Sequence, residues 1–134
     1  MSYFAYGSNM DVRQMAVRCP DAVVIGRACL CGHSFLINTH GVATVIPAKE
    51  ACVHGILWKI SAKDEASLDR YEGVATGFYR KATVSVLPDG GVQIKALIYI
   101  ASDDQPGQPR PGYMERVMDA AKHHGLLLRH LKVG

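Results

Sequence analysis

Two short segments contain residues whose types and spacing could carry out chemistry, and the first is a polar break near the N-terminus. Tyr6, Gly7, Ser8 and Asn9 directly follow a short apolar segment and precede a predicted helix. A turn that leads into a helix N-terminus offers unpaired backbone N–H groups, which suit an anion such as a carboxylate. An ordinary strand-to-helix turn, with Ser8 or Asn9 capping the helix, explains the same residues. Local composition does not separate the two interpretations.

The second segment is LDRYEGV, in which Glu72 stands immediately before Gly73 at the end of a predicted helix. A carboxylate there faces the negative end of the helix dipole, which raises its pKa, and burial would raise the pKa further. Such a glutamate can serve as a general base. The alternative is that the side chain simply points into water.

The other reactive residue types form no comparable pattern. None of the six histidines lies in an HExxH motif, Ser8 has no GxSxG context, and the four cysteines lack a CxxC spacing. We therefore expect no metal site and no cofactor. Cys29 and Cys31 lie two apart in a predicted strand, so their side chains should share one face. The cysteines are predicted to be buried or half-buried cytosolic thiols: Cys19, Cys29, Cys31 and Cys52.

Length and composition are those of an ordinary globular protein. The chain has 134 residues, 49% of them hydrophobic and 20% charged, which predicts a single domain over residues 1–134. It contains no apolar run of the roughly 18 residues that a membrane helix needs and no leader-like N-terminus, so a cytoplasmic location is expected. The net charge of +3 is spread along the chain without a basic, aromatic face, which argues against nucleic acid as a partner. The oligomeric state is not readable from the sequence.

The first half of the chain reads as strands interrupted by one helix. Residues 2–6 are predicted to form a strand, and the stretch DVRQMAVRC is predicted to form a helix that Pro20 ends. Residues 22–38 suggest one or two strands with bulges or turns at Gly26 and Gly32. A further short strand is predicted over residues 42–46, ended by Pro47, and residues 52–60 form a strong strand candidate.

The second half adds two helices and a hairpin. Ser61 and Asp64 form a capping-box pair for a helix over residues 62–71. Residues 78–87 and 92–101 read as an antiparallel pair around an Asp-Gly turn, followed by a proline-rich loop over 102–112. An apolar face that starts at Tyr113 predicts a last helix running to about His124. Hairpins outnumber βαβ crossovers, which predicts an α+β fold: a small mixed, mostly antiparallel sheet or barrel with helices packed on it.

The two polar segments, taken together with further motifs, resemble one known family. YFAYGSNM, followed some sixty residues later by LDRYEGV and by Gly77-Phe78-Tyr79, is similar to the gamma-glutamylcyclotransferase family. The similarity continues through the stretches GVAT at 41–44 and GILW at 55–58 and through Tyr113. It spans nearly the whole chain and implies a small β-barrel with α-helices packed around it.

The resemblance also implies a reaction and a set of site residues. Members convert a gamma-glutamyl amino acid or gamma-glutamyl amine to 5-oxoproline and the free amine, through attack of the substrate's α-amino group on its own side-chain carbonyl. By resemblance Glu72 is the catalytic acid and base, and Tyr79 and Tyr113 close the site. Asn9 belongs to the motif and is counted with the substrate-binding residues. The resemblance implies that the remaining residues of the first segment line the substrate pocket: Tyr3, Phe4, Ala5, Tyr6, Gly7 and Ser8.

One departure from the family pattern bears on the substrate. A glutathione-specific branch typically reads YGSL followed by an apolar and an aromatic residue, whereas Asn9 and Met10 follow Ser8 here. This disfavours glutathione and leaves the leaving amine open, with the loop at 103–112 as a contributor to that choice. The alternative to an enzyme is a non-catalytic member of the fold that binds a small ligand, and the presence of Glu72 weighs against it.

Overall fold

Five strands close into a barrel in a computed structural model that describes residues 1–126. The strands are β1 (Ser2–Ala5), β2 (Val23–Ile37), β3 (Ala43–Lys59), β4 (Tyr79–Pro88) and β5 (Ile94–Ala101). The order around the barrel is β1, β3, β2, β4, β5. All strand pairs are antiparallel except β1 and β5, which pair in parallel at Tyr3 and Leu97. The predicted α+β architecture, a small and mostly antiparallel barrel with helices packed around it, is confirmed.

The long β2–β3 hairpin differs from the prediction at one point. β3 is continuous, so the expectation that Pro47 ends a short strand is wrong. Pro47 pairs with His33 just beyond a register shift, a place where a strand tolerates a residue without an N–H. β2 is one strand, with register shifts at Gly26 and beside Gly32, which confirms the predicted bulges.

Within the described part of the chain, three α-helices pack around the barrel: α1 (Val12–Arg18), α2 (Ala62–Tyr71) and α3 (Tyr113–His123). Ser61 and Asp64 form the predicted capping box at α2. The expectation that Ser8 or Asn9 caps α1 is wrong, because Ser8–Met10 form a 3₁₀ turn of their own. Asp11 caps α1 instead, and its carboxylate accepts from the N–H of Arg13 at 2.8 Å.

The core fills the barrel and the space under the helices. Its largest fully buried side chains include Phe4, Ile56, Leu57, Leu68 and Ile98. Within residues 1–126, no helix combines the length and the apolar composition needed to cross a membrane. Residues 127–134, the end of the range expected for the domain, lie outside the described residues.

The cysteines only partly follow the prediction. Cys19 is buried and Cys29 is half-buried, but Cys31 and Cys52 are exposed, so the prediction is wrong for these two. The reason is that both lie on the outward face of the β2–β3 ladder, where they oppose each other.

Candidate active site

A cavity of about 230 Å³ lies between the turn after β1, the C-terminal end of α2 and the N-terminal end of α3. The structure brings eight of the ten predicted site residues to its wall. Phe4 and Ala5, which are 0% and 1% exposed, belong to the core and do not lie on this wall. The eight that line the cavity are Tyr3, Tyr6, Gly7, Ser8, Asn9, Glu72, Tyr79 and Tyr113.

Glu72 is positioned by the end of α2. Its N–H donates to the carbonyl of Leu68 at 2.8 Å, and Gly73, in the left-handed conformation (φ 65°), then turns the chain out of the helix. Burial raises the pKa of Glu72 from 4.5 to about 7, while the Arg18 cation and a hydrogen bond from Asn9 act in the opposite direction. A carboxyl group with this pKa exists in both protonation states near neutral pH and can both take and give a proton.

The side chain of Asn9 links Glu72 to α1. Asn9 is 4% exposed, and its Nδ2 donates to Glu72 Oε1 at 3.1 Å and to the Tyr3 hydroxyl at 2.9 Å. Its Oδ1 accepts from Gln14 Nε2 at 2.9 Å and from Arg18 Nη1 at 3.1 Å. A side-chain amide has two N–H donors and two acceptor lone pairs, so these four bonds use it in full. They also fix which way the amide faces.

Tyr79 and Tyr113 hold the same backbone unit from its two sides. The Tyr79 hydroxyl donates to the carbonyl of Ala43 at 2.6 Å, and the N–H of Ala43 donates to the Tyr113 hydroxyl at 3.1 Å. Gly7 permits this arrangement, because a Cβ there would lie 3.0 Å from the Tyr113 hydroxyl oxygen. The tip of the β2–β3 hairpin, the turn after β1 and the start of α3 are therefore in contact at this point.

Four buried phenols on the cavity wall stay protonated at neutral pH. Burial raises the pKa of Tyr3, Tyr6, Tyr79 and Tyr113 above the ordinary value of 10, and the nearby Glu72 carboxylate adds to the rise. The Tyr6 hydroxyl donates to the carbonyl of Tyr99 at 2.6 Å. The Tyr79 hydroxyl likewise donates within the protein, to the carbonyl of Ala43. Tyr3 and Tyr113, whose oxygens accept hydrogen bonds, keep their protons for a ligand. Glu72 is suited to acid–base chemistry.

Sequence reasoning missed Gln14 and Arg18, which lie one turn apart on α1 and both line the cavity. Gln14 Nε2 also donates to Ser8 Oγ at 2.9 Å, and the guanidinium of Arg18 lies 4.5 Å from the centre of the Tyr71 ring. The i, i+4 spacing of these two polar residues on the helix that follows the YGSN motif was the available signal.

Two further arginines line the cavity, and the sequence analysis named neither of them. Arg110 donates from Nε to the carbonyl of His40 at 2.8 Å. The backbone N–H of Arg116 donates to the carbonyl of Gly112 at 3.3 Å, but within residues 1–126 its guanidinium group makes no hydrogen bond or ion pair. Together with Arg18, the cavity wall carries three guanidinium groups and one carboxyl group, that of Glu72. This excess of positive charge favours an anionic ligand.

The loop that carries Arg110 is tied to the tip of the β2–β3 hairpin. Asn38, which is fully buried, donates from Nδ2 to the carbonyl of Asp103 at 3.1 Å. The N–H of Gly107 donates to the carbonyl of Ile37 at 2.8 Å, and the N–H of Arg110 donates to the carbonyl of Gly41 at 3.0 Å. These bonds give Arg110 a fixed place at the cavity despite the irregular backbone around it.

Comparison with known proteins gives a consistent result. The model of the AIG2-like family matches residues 52–131. The chain is 30% identical over 140 residues to the gamma-glutamylcyclotransferase of Bos taurus, covering 97% of this chain and 74% of that protein. It is 29% identical to the Homo sapiens gamma-glutamylcyclotransferase over 138 residues, covering 96% and 73%.

A solved structure of a gamma-glutamyl cyclotransferase superposes with a TM-score of 0.90 at 28% identity, covering 98% of this chain and 83% of that one. The family model matches more than half of the chain, and the bovine relative extends the similarity over nearly all of it. The chain therefore belongs to the AIG2-like family and is a member of its gamma-glutamylcyclotransferase group.

Proposed function

We propose that the protein converts a gamma-glutamyl amino acid to 5-oxoproline and the free amino acid, with Glu72 moving the proton. The observation that carries the proposal is a buried carboxyl group on the cavity wall whose pKa is raised to about 7. The relatives named gamma-glutamylcyclotransferase support the reaction type. The non-catalytic alternative is not favoured, because a binding site alone has no need for a carboxyl group that titrates near neutral pH.

The chemistry requires two proton transfers. The substrate's α-ammonium cannot attack its side-chain carbonyl until it loses a proton, and the leaving amine departs readily only after it gains one. Glu72 takes the proton from the ammonium and returns it to the leaving nitrogen. The N–C bond of the five-membered lactam forms as the bond to the leaving nitrogen breaks. Because the attack is intramolecular, holding the substrate folded supplies much of the rate.

Tyr113 supplies a hydrogen-bond donor beside the turn after β1. Its oxygen accepts from the N–H of Ala43, and hydrogen bonding from Ser8 partly offsets the rise that burial causes in the pKa of Tyr113. With its oxygen occupied in this way, the Tyr113 proton is left for a ligand. We assign it, together with the Gly7–Ser8 turn, to the substrate oxygen that becomes negative or to the α-carboxylate.

Asn9 serves this reaction as a positioning residue. Its side-chain amide has no donor or acceptor left for a substrate, since all four positions are bonded within the protein. Gln14 and Arg18 fix the orientation of the Asn9 amide, and the amide in turn holds Glu72 Oε1 in place. Asn9 therefore contributes to the site through Glu72 and not through contact with the substrate.

The cationic wall favours a leaving group that carries a carboxylate. A gamma-glutamyl amino acid has two carboxylates, and its ammonium is assigned to Glu72. The guanidinium groups of Arg110 and Arg116 are placed to receive the two carboxylates. We assign the carboxylate of the leaving amino acid to Arg110, because this residue belongs to the loop expected to select the leaving amine.

The test is a 5-oxoproline assay on a panel of a gamma-glutamyl amino acid, a gamma-glutamyl amine and glutathione. We expect turnover to be greatest with the gamma-glutamyl amino acid. Glu72→Gln keeps the shape and hydrogen bonding of the side chain but cannot accept a proton, so kcat should fall by about 10²- to 10⁴-fold while calorimetry still detects binding. Glu50→Gln, at an exposed position off the cavity wall, is the matched control. Near-normal 5-oxoproline release by Glu72→Gln would overturn the role of this residue, and silence of the wild type across the panel would overturn the reaction.

A further inference from the structure

Three cysteine sulfurs lie together on the β2–β3 ladder, and none of these residues lines the cavity. Cys31 and Cys52 are direct cross-strand partners, and their Sγ atoms are 3.1 Å apart. The Sγ atom of Cys29 lies 4.0 Å from that of Cys31. Cys31 and Cys52 are both exposed, so reagents in solution can reach them. The proposed reaction uses none of the three.

The backbone geometry of the Cys31 and Cys52 pair suits a covalent link. Residues directly opposite each other in an antiparallel ladder have Cα atoms about 4.5 or 5.5 Å apart, and a disulfide accepts about 4.4–6.8 Å. The two sulfurs therefore need to approach each other by only about 1 Å to reach bonding distance. Side-chain rotation can supply this without moving either strand.

Two other interpretations of the three cysteines, a metal site and a disulfide that involves Cys29, fit the structure less well than a Cys31–Cys52 disulfide. Among residues 1–126, no group of three or more His, Cys, Asp or Glu side chains has the arrangement of a metal site. Cys29 is half-buried, and burial raises the pKa of its thiol to about 11, so it stays protonated and unreactive at neutral pH. Cys29 is also two residues along the same strand from Cys31, where Cα atoms are about 6.6 Å apart, near the upper limit for a disulfide.

We propose that Cys31 and Cys52 form a site of reversible oxidation that reacts with low-molecular-weight disulfides. The sulfur of Cys31, which accepts the hydrogen bond from Cys52 Sγ, gives up its proton and attacks the small disulfide. The S–S bond of the reagent breaks, and one small thiolate leaves and takes up that proton. Cys52 then attacks Cys31 Sγ, and its proton goes to the second small thiolate as it departs. Two protein thiols are oxidised to one disulfide, and the small disulfide is reduced to two thiols.

The site lies at a structurally irregular point of the hairpin. Immediately beyond Cys31 the register shifts, so that His33 pairs with Pro47 and one residue of β2 opposes the four residues 48–51 of β3. A link between Cys31 and Cys52 closes the regular ladder directly before this bulge. The link therefore restrains the hairpin just below its outer part, residues 33–47, which contains Ala43.

The experiment treats the reduced protein, residues 1–134, with 2-hydroxyethyl disulfide. This reagent contains no gamma-glutamyl group and so cannot be turned over at the cavity. Remaining thiols are alkylated, and intact mass and peptide maps are recorded. We expect the wild type to lose two hydrogen atoms and to yield a single linked peptide pair joining Cys31 to Cys52, with Cys19 and Cys29 alkylated once the protein is denatured.

Three variants separate this proposal from general thiol reactivity. Cys29→Ser should still form the link, whereas Cys52→Ser should stop at a mixed disulfide on Cys31, and Cys31→Ser should form no link. Far-UV circular dichroism checks that each variant is folded. Mixed disulfides on both Cys31 and Cys52 of the wild type without a link, or a link that joins Cys29 to Cys31, would overturn the proposal.

Discussion

Asn9 Nδ2 donates a hydrogen bond to Glu72 Oε1 at 3.1 Å, joining two residues that are 63 positions apart in the chain. The bond connects the turn after β1 to the end of α2. On the opposite side of the same amide, Arg18 Nη1 donates to Asn9 Oδ1. The carboxyl group of Glu72 is therefore held by Arg18 through Asn9, and removal of the Arg18 cation should alter the pKa of Glu72.

Arg18→Gln is expected to move the pH dependence of turnover. The Arg18 cation lowers the pKa of Glu72, so its removal should raise that pKa, and the acid limb of kcat/KM should shift upward by about one pH unit. Arg13→Gln, an exposed change on the same helix and off the cavity wall, is the control and should leave the profile in place. An unchanged acid limb in Arg18→Gln would contradict the coupling.

Glu72→Gln is expected to change how stability depends on pH. The pKa of Glu72 is raised from 4.5 to about 7 in the folded state, so the folded state holds the proton more tightly than the unfolded state does. Its contribution to stability is complete below pH 4.5 and is lost as the pH rises through 7. Between pH 4 and pH 8 the wild type should therefore lose about 3 kcal/mol of unfolding free energy relative to Glu72→Gln. Urea titrations of both proteins across this range measure the difference, and a constant difference would refute the raised pKa.

Gly7→Ala is expected to act through contact with Tyr113. The added methyl group would lie 3.0 Å from the Tyr113 hydroxyl oxygen and 3.4 Å from Ala43 Cβ, so the hydroxyl should shift at a cost of about 1–2 kcal/mol. Thermal unfolding measures the loss. The same change made in a Tyr113→Phe background should cost less, because the hydroxyl that it meets is absent. Gly91→Ala, where the added methyl group makes only ordinary contacts, is the control.

Arg110→Gln is expected to alter the choice of leaving group. If its guanidinium receives the carboxylate of the leaving amino acid, KM for a gamma-glutamyl amino acid should rise by about 10- to 100-fold. KM for a gamma-glutamyl amine without that carboxylate should change little. Arg80→Gln, exposed on β4 and off the cavity wall, provides the comparison. Equal increases for both substrates would show that Arg110 does not select the leaving group.

The sequence predicted the parts of this molecule that depend on local patterns. The α2 capping box at Ser61 and Asp64 and the hairpin around Asp89-Gly90 follow from short-range chemistry, and both are present. The prediction that a strand ends at Pro47 was wrong. β3 continues through Pro47 because it pairs there with His33 of β2, next to a bulge that tolerates a residue without an N–H. Local rules contain no information about such a partner.

The same distinction applies to the cavity. Glu72 and the YGSN loop were recognisable because each is a contiguous motif. Arg110 and Arg116 were not, because their relevance depends on how the loop at 102–112 is tied to Asn38 and how α3 is placed. The full use of the Asn9 amide likewise depends on Gln14 and Arg18 reaching it from α1.

The parallel pairing of β1 with β5 has a consequence for how the protein becomes active during folding. Tyr3 reaches its partner Leu97 only after most of the chain has been synthesised, and Tyr113 follows later still. Contacts so distant in sequence form late and slowly. The turn after β1 emerges from the ribosome before the other parts of the cavity wall, and the cavity is incomplete until β5 and α3 are in place. A nascent or truncated chain should therefore have no partial activity, and recovery of turnover on refolding should coincide with the final kinetic phase.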